Sequence, residues 1–255
     1  MDRRKFLAGA SLLTVGGAAG VGIADWQAAA AEGPIARTAT PAGAGAYATV
    51  VTFRAAPSAR IVALTIDDGP TQEWTPRLLS ILRQHGAKAT FFRVGQRALA
   101  LPGLVQQTAD AGHEQGNHTW AHEDLTGHDE AFDRRTLERT HEVLTKLTGQ
   151  PPALCRPPWG RIDSVGLAVC ASLHYDVALW SHHVTGSNPE GGVNVILREG
   201  TPGSIVLAHD GGSEPDARLM TQLDRLVGAM TDTGYTFVTV SELLAAARAS
   251  VGHNA

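Results

Sequence analysis

The sequence predicts an α/β domain built on a parallel β-sheet, either closed into a barrel or left open as a doubly wound sheet. Two observations lead to this prediction. Strand-like and helix-like segments alternate along the chain about seven times, and the first strand-like segment, residues 61–66, is a nearly unbroken run of branched apolar residues. Alternating strands and helices are typical of parallel sheets, and a continuous apolar run indicates a strand buried on both faces.

The predicted elements follow one another with short connections. Strands are expected at 61–66, 89–94, 113–117, a segment ending at 156, 177–180, 204–207 and 235–239. Helices are expected near 76–85, 101–111, 129–147, 164–172, 193–199, 217–231 and from 241 onward. A chain of 255 residues suits one catalytic domain, because a single core of this size buries ample apolar surface.

The N-terminal segment, residues 1–31, has the pattern of an export signal. Arg3, Arg4 and Lys5 precede an apolar run rich in Gly and Ala, and small residues at 29–31 suit cleavage. The arginine pair favours the twin-arginine route, with an uncleaved membrane anchor as the alternative. Residues 32–59 are rich in Ala, Gly, Thr and Pro and indicate a linker or surface segment, so the catalytic domain is expected at 60–250. We expect a secreted or cell-envelope protein without stable membrane insertion after signal cleavage.

Charge and cysteine content restrict the partners of the chain. It carries 21 Lys and Arg against 25 Asp and Glu, for a formal net charge of −4. This balance lacks the basic excess of proteins that bind nucleic acid, so we expect no nucleic-acid partner. We also expect a monomer. For Cys155 and Cys170, a disulfide and two buried free thiols both remain open in an exported protein.

Acidic and histidine residues cluster directly after three of the predicted strands, where α/β proteins place their chemistry. The three groups are Asp67 with Asp68, His118 with His122, and His209 with Asp210. His118 and His122 are four residues apart, so both imidazoles share one face if the segment after residue 117 is helical. They can then bind one cation together with a carboxylate from elsewhere.

Two imidazoles and one carboxylate are the ligand set of catalytic zinc and also of non-haem iron. The sequence therefore predicts a divalent metal, with Zn²⁺ expected first. Zinc lowers the pKa of its bound water to about 7, which favours hydrolysis as the reaction. Neighbouring side chains on an extended strand point apart, so one of Asp67 and Asp68 is expected to bind metal and the other to accept a proton. The chain has no Gly-x-Ser-x-Gly motif, which argues against a serine esterase.

Four motifs occur in the order found in polysaccharide deacetylases, the NodB homology domain of family-four carbohydrate esterases, and the chain resembles that family from about residue 60 to 247. They are Thr65-Ile66-Asp67-Asp68-Gly69-Pro70, His118-Thr119-Trp120-Ala121-His122, Arg156-Pro157-Pro158-Trp159-Gly160 and Ile205-Val206-Leu207-Ala208-His209-Asp210. The resemblance implies a distorted (β/α) barrel with about seven parallel strands. It also implies a metal-dependent enzyme that removes N- or O-acetyl groups from an acetylated polysaccharide or oligosaccharide. Chitooligosaccharide, peptidoglycan and acetylated xylan remain open as substrates.

The resemblance further implies a role for each motif residue. Asp68, His118 and His122 would be the metal ligands, and Asp67 would be the base that activates water. Arg156 would position Asp67, and the Trp159 backbone N–H would stabilise the oxyanion. His209 would protonate the leaving group, and Leu207 would line the acetyl pocket. Trp180 is assigned to substrate binding, with packing in the core or rim as the alternative.

The sequence departs from the family at one more motif, the fourth motif of the family, which lies between the last two motifs given above. In this fourth motif an Asp-Trp pair normally follows a Trp-containing strand. Here Trp180 is followed by residues 181–188, which contain no Asp. Our hypothesis is that Asn188, His183 or a carboxylate elsewhere takes the place of that Asp beside His209. Two other functions stay open: a catalytically weak glycan-binding protein and a hydrolase of small amides or imides.

Overall fold

The strand β2, Ile61–Asp67, shows how this sequence builds its fold. Its side chains alternate between two buried faces, as the period of a β-strand requires. Val62, Leu64 and Ile66 lie in the large core cluster that also includes side chains of the surrounding helices. Ala63 lies in a different cluster, and the two polar residues that follow on its face of the strand, Thr65 and Asp67, are buried as well. Both faces of β2 are therefore covered, and the polar positions share one of them.

The computed structural model describes residues 47–252, with side chains up to residue 250. The predicted signal peptide, and the predicted linker before residue 47, lie outside the described residues. The strands are β1 (Val51–Thr52), β2 (Ile61–Asp67), β3 (Ala89–Arg93), β4 (Glu114–Asn117), β5 (Leu154–Cys155), β6 (Asp176–Ala178), β7 (His182–His183), β8 (Ile205–His209) and β9 (Thr236–Val238). The helices are α1 (Trp74–Gln84), α2 (Gly95–Ala100), α3 (Pro102–Asp110), α4 (Glu130–Thr148), α5 (Ser164–Ser172), α6 (Pro189–Glu199), α7 (Ala217–Asp232) and α8 (Val240–Gly252). None of the helices among these residues is both long and apolar enough to span a membrane.

The strands form one parallel sheet in the order β1-β6-β5-β4-β3-β2-β8-β7, with β9 also paired to β2. One extended segment contains both β6 and β7 and closes the sheet. The N–H of Leu179 donates to the Thr52 carbonyl of β1, whereas the N–H of Ser181 donates to the Ile205 carbonyl of β8. The sheet thereby curls into a distorted barrel surrounded by helices, which confirms the predicted fold class.

The barrel contains more strands than the sequence predicts. All seven predicted strands are present, and β1 and β7 are added, so the described residues form nine strands instead of about seven. Both additional strands have only two residues, which is too short for an alternating pattern to be recognised. The strand β1 lies within the segment expected to be a linker or surface segment. The helix α2 was also not predicted, because it follows β3 with a single residue between them.

The two cysteine side chains contact each other, one from a strand and the other from a helix. Cys155 is the last residue of β5 and Cys170 lies in α5, and both are free, buried thiols. A hydrogen bond from its neighbour Cys170, together with burial, raises the pKa of the Cys155 thiol well above its usual value. A thiol of this kind is a poor nucleophile, because the thiolate is the reactive form.

Candidate active site

The two aspartates after β2 leave the strand in different backbone conformations. Asp67 is almost fully buried, and its Oδ2 lies 3.9 Å from Nε2 of His118. Asp68 has a φ of 75°, in the left-handed region that non-glycine residues rarely adopt. This turn brings Oδ1 of Asp68 within 3.4 Å of the same His118 nitrogen. The extended backbone assumed for the pair is thus interrupted at Asp68, and both carboxylates reach one imidazole.

Asp68, His118 and His122 form a compact group of ligand atoms. Nε2 of His122 lies 3.1 Å from Oδ1 of Asp68, so this oxygen faces both imidazoles. Burial raises the pKa of Asp68, but the two neighbouring imidazoles outweigh it and hold that pKa well below its usual range. Oδ1 of Asp68 is buried and makes no hydrogen bond of good geometry. An anionic oxygen that faces two imidazoles without a hydrogen bond fits a divalent cation.

His118 is oriented for this task by its other ring nitrogen. Its Nδ1 lies 2.6 Å from the backbone carbonyl of Arg156. A carbonyl can only accept, so Nδ1 carries a proton and Nε2 is the nitrogen that would bind a cation next to Asp68. A metal-binding histidine is commonly held in this way by a carbonyl behind it.

The loop that carries the two histidines is not helical, so the helical arrangement considered from their spacing is wrong. Thr119 and His122 have φ values of 63° and 64°, which no α-helix contains. Side chains replace the missing helical hydrogen bonds. Oδ1 of Asn117 accepts from the N–H of Thr119 at 3.0 Å, and Oγ1 of Thr136 accepts from the N–H of Trp120 at 2.8 Å. The two imidazoles therefore meet at Asp68 through the shape of this loop.

Arg156 occupies the centre of a buried network. Its Nη1 donates to Oδ1 of Asp67 at 2.8 Å and to Oγ1 of Thr65 at 2.7 Å. Its Nε and Nη2 donate to the carbonyls of Ala178 and Leu179, at 2.7 and 3.0 Å. Burial lowers the pKa of Arg156 and the neighbouring Asp67 opposes that effect. The guanidinium is held by four acceptors, and only Oδ1 of the two Asp67 oxygens accepts a hydrogen bond from it.

The residues assigned to substrate contact lie in different settings. Trp159 is 61% exposed and has a φ of 56°, and its ring stands edge-on against that of His122, with 4.5 Å between the ring centroids. Leu207 is buried in β8. Trp180 is half-buried, packs against two core clusters and lies 5.7 Å from the Arg156 guanidinium. These contacts favour the packing alternative for Trp180, and its substrate-binding role stays a prediction.

His209 stands opposite Asp67, because the register of β2 and β8 pairs these two residues. The ring of His183 lies 5.3 Å from that of His209, and Glu214 contributes a carboxylate to the same group. Asn188 is engaged elsewhere, since its side chain accepts from the N–H of Gly191 and caps α6. The candidates for the missing fourth-motif partner are thereby reduced to His183 and Glu214. Glu214 lies in a loop without a recognisable motif, so the sequence did not single it out.

A second buried ion pair supports the end of β8. Nη1 of Arg93 donates to Oδ2 of Asp210 at 2.9 Å, and Oγ1 of Thr75 donates to the same oxygen at 2.6 Å. Gly69 packs so closely here that a Cβ atom on it would lie 1.9 Å from Oδ1 of Asp210. The residue after His209 is therefore held by β3 and α1, which fixes the direction in which the chain leaves the barrel.

This combination of a parallel barrel, a candidate cation site and an arginine-held aspartate opposite a histidine defines a barrel hydrolase. The comparisons with known proteins specify the family. The family model for polysaccharide deacetylase matches residues 54–178. A peptidoglycan-N-acetylglucosamine deacetylase of Bacillus cereus is 37% identical over 200 residues, which cover 76% of this chain and 92% of the relative.

Two further comparisons agree. The peptidoglycan-N-acetylmuramic acid deacetylase PdaC of Bacillus subtilis is 31% identical over 191 residues, 73% of this chain and 39% of the relative. The crystal structure of the Bc1960 peptidoglycan N-acetylglucosamine deacetylase superposes with a TM-score of 0.71 at 31% identity, covering 76% of this chain and 92% of that one. The chain belongs to the polysaccharide deacetylase family, the family-four carbohydrate esterases, as its motifs indicated.

Proposed function

We propose that the protein is an exported, zinc-dependent deacetylase that hydrolyses the N-acetyl groups of peptidoglycan. The observation that carries the proposal is the group formed by Asp68, His118 and His122, next to an aspartate that Arg156 holds. The choice of peptidoglycan rests on relatives that are named for this substrate and on coverage of 92% of one of them. Chitooligosaccharide and acetylated xylan are the substrates to be compared with it.

In the proposed mechanism, Asp68, His118 and His122 would hold the zinc ion. When bound, zinc lowers the pKa of water and supplies positive charge where the oxyanion develops. Asp67 accepts the proton of the attacking water through Oδ2, because Oδ1 is engaged by Arg156. Arg156 keeps that carboxylate in one orientation through its four hydrogen bonds, so Asp67 is positioned before the substrate arrives.

Proton transfer to the leaving group is assigned to His209, which faces Asp67 across the β2–β8 register. Attack by water on the acetyl carbon forms the new C–O bond, and the C–N bond breaks as His209 protonates the sugar nitrogen. The products are acetate and a free amine on the glycan. Leu207 would contact the acetyl methyl, and the backbone N–H of Trp159 would donate to the oxyanion.

The exposed ring of Trp159 supports contact with a large substrate. A wholly internal site for small amides would not need an aromatic side chain 61% exposed beside a candidate metal ligand. We assign the glycan to the edge of the barrel formed by this ring and the loop of His118 and His122.

The proposal also includes the export route and the boundaries of the catalytic domain. Residues 1–31 would act as a twin-arginine signal and residues 32–59 as a linker or surface segment, followed by a monomeric catalytic domain at 60–250. The test is replacement of Arg3 and Arg4 by Lys, which keeps the charge and removes the arginine pair that the export machinery reads. We expect the variant to accumulate in the cytoplasm, and unchanged export would contradict the twin-arginine assignment.

The catalytic proposal is tested by acetate release from peptidoglycan, chitooligosaccharides and acetylated xylan, with metal-stripped and zinc-restored protein in parallel. We expect zinc-dependent release, fastest from peptidoglycan. Asp68→Asn should lose the zinc ion of the Asp68 group together with activity, whereas Asp67→Asn should keep that ion and lose activity by at least ~10²-fold, since a positioned base contributes this much. Asp129→Asn is the matched control, because Asp129 only caps α4 and asparagine caps equally well.

Two results would refute the proposal. One is acetate release that persists at full rate without metal. The other is an Asp68→Asn variant that binds as many zinc ions per chain, and as tightly, as the unmodified protein. Zinc binding without acetate release from any of the three glycans would instead favour a binding protein on the same fold.

A further inference from the structure

A second group of ligand-type side chains lies beside the proposed catalytic residues. One ring nitrogen of His183, one ring nitrogen of His209 and one carboxylate oxygen of Glu214 lie within 4.8 Å of one another. His183 ends β7, His209 ends β8 and Glu214 follows five residues later in the loop. Since β7 and β8 are hydrogen-bonded neighbours, the two imidazoles are brought together by the sheet itself.

One ring nitrogen of each imidazole has no hydrogen-bond partner among the residues that the structure describes. Nε2 of His183 and Nδ1 of His209 are both buried and make no hydrogen bond to any described residue. A buried polar atom without a partner costs about 1–3 kcal/mol, so such atoms are rare and indicate a ligand or a functional constraint. Two of them, on adjacent strands with a carboxylate beside them, point to a shared ligand that accepts nitrogen lone pairs.

The carboxylate of Glu214 is held in place by a backbone donor of a neighbouring loop. The N–H of Gly186 donates to Oε2 of Glu214. Gly186 also packs against the backbone of Glu214, where a Cβ atom would lie 2.0 Å from the carbonyl oxygen. The close contact between these two loops requires glycine at this position. A carboxylate fixed by a backbone donor in this manner is typical of the outer contacts that orient metal ligands.

The charge state of His183 is compatible with metal binding. Burial, and after it the neighbouring His209, lower the pKa of His183, with Glu214 and Asp67 acting in the opposite direction. The ring is therefore neutral at neutral pH, as a metal ligand must be. Two imidazoles and one carboxylate suit zinc and other borderline divalent cations better than calcium or magnesium, which prefer oxygen.

We propose that His183, His209 and Glu214 form a second divalent-cation site, separate from the Asp68 group, and that a cation bound there inhibits the enzyme. The inhibitory part rests on the proposed function, in which His209 is the acid. A ring nitrogen of His209 that binds a cation cannot carry a proton at the same time, so that nitrogen has no proton to give to the leaving group. Zinc would activate through the first site and inhibit through the second.

The test is zinc stoichiometry of the purified protein, measured by equilibrium dialysis and elemental analysis after metal stripping. We expect two ions per chain for the unmodified protein, and one ion for Asp68→Asn, for Glu214→Gln and for His183→Gln. Glu214→Gln is the central variant, because glutamine keeps an oxygen for the N–H of Gly186 and so preserves the loop. Glu190→Gln is the matched control, since Glu190 is exposed in the first turn of α6 and lies outside the group, and this variant should bind two ions.

Activity provides a second readout for the same variants. For each protein, rates are measured across a zinc titration and divided by that protein's own maximum. We expect inhibition by excess zinc in the unmodified chain and at least a tenfold higher inhibitory zinc concentration for Glu214→Gln. A single bound ion that Asp68→Asn removes and Glu214→Gln does not would overturn the second site and leave the proposed function intact. Two ions that both survive in Glu214→Gln would overturn it as well.

Discussion

Arg156 provides the sharpest test of how the barrel holds Asp67, the aspartate proposed as the base. The conservative replacement Arg156→Lys keeps a positive charge near Asp67 but removes the planar set of donors. Arginine reaches the carbonyls of Ala178 and Leu179 through Nε and Nη2 while Nη1 is bound to Asp67. A lysine ammonium has its three donors on a single atom, so it cannot serve the carboxylate and both carbonyls together.

The expected cost follows from those contacts. Loss of the two bonds to carbonyls at a fully buried position costs about 1 kcal/mol each as net hydrogen bonds, and more where a carbonyl is left without a donor. We therefore expect Arg156→Lys to lower the free energy of unfolding by about 2–4 kcal/mol. Arg156→Met should cost more, about 3–5 kcal/mol, because it also leaves the buried carboxylate of Asp67 without its partner.

Urea unfolding followed by tryptophan fluorescence measures these differences, and acetate release at saturating zinc gives the effect on turnover. The matched control is Arg161→Lys, the same replacement in an exposed ion pair with Asp124, which should change stability by less than about 0.5 kcal/mol. If Arg156→Lys proved as stable as the control variant, the assignment of Arg156 as a multi-point anchor would be refuted.

Buried groups elsewhere in the barrel give three more predictions. The pKa of His113 is lowered to about 4 by burial and by nearby cationic side chains, so the unfolded chain binds its proton first as pH falls. The free energy of unfolding should drop by on the order of 2 kcal/mol between about pH 6.5 and about pH 4.5, and His113→Gln should flatten this slope in urea unfolding. Gly69→Ala should cost at least ~3 kcal/mol in the same assay, since its Cβ displaces Asp210 from its ion pair. Cys155 and Cys170 should resist iodoacetamide in the folded protein and both be alkylated after unfolding, as mass spectrometry would show.

Each of these predictions has an outcome that contradicts it. A pH slope retained by His113→Gln would mean that another group titrates. Gly103→Ala is the control for Gly69→Ala, because neither glycine has a positive φ and a Cβ atom on Gly103 would contact nothing within 4 Å. Similar losses for both variants would argue that the contact with Asp210 does not set the cost. Cysteines that stay unlabelled after unfolding would indicate a disulfide.

The sequence predicts the strands of this barrel better than its loops. Long branched runs such as β2 carry a periodic signal, and the motif residues are placed at strand ends, where a parallel sheet brings them together. The conformation of the His118 loop has no such signal. Thr119 and His122 adopt left-handed backbone angles that their own preferences disfavour, and the side chains of Asn117 and Thr136 stabilise the loop by accepting hydrogen bonds from its backbone N–H groups. Only the folded chain brings those partners together.

Contacts between residues that lie far apart in the chain are equally difficult to predict from the sequence. Asp210 follows His209 and looks like part of a catalytic motif, yet its carboxylate is buried in a salt bridge with Arg93. Glu214 approaches His183 only because the loop after β8 packs against Gly186. Neither contact follows from spacing along the sequence, since both depend on how two separate loops leave the barrel.

The register between β2 and β8 determines the relation between the proposed base and acid. Asp67 is paired with His209, and Thr65 with Leu207, so the groups assigned to base, acid and acetyl pocket lie in alternate residue pairs, on the same face of two hydrogen-bonded strands. A slip of one residue would turn every one of these side chains to the opposite face. His118, His122 and Glu214 lie instead on loops, where shape depends on a few side-chain hydrogen bonds. Substitutions on the inner face of the strands should therefore change stability and turnover together, whereas those in the loops should change metal content first.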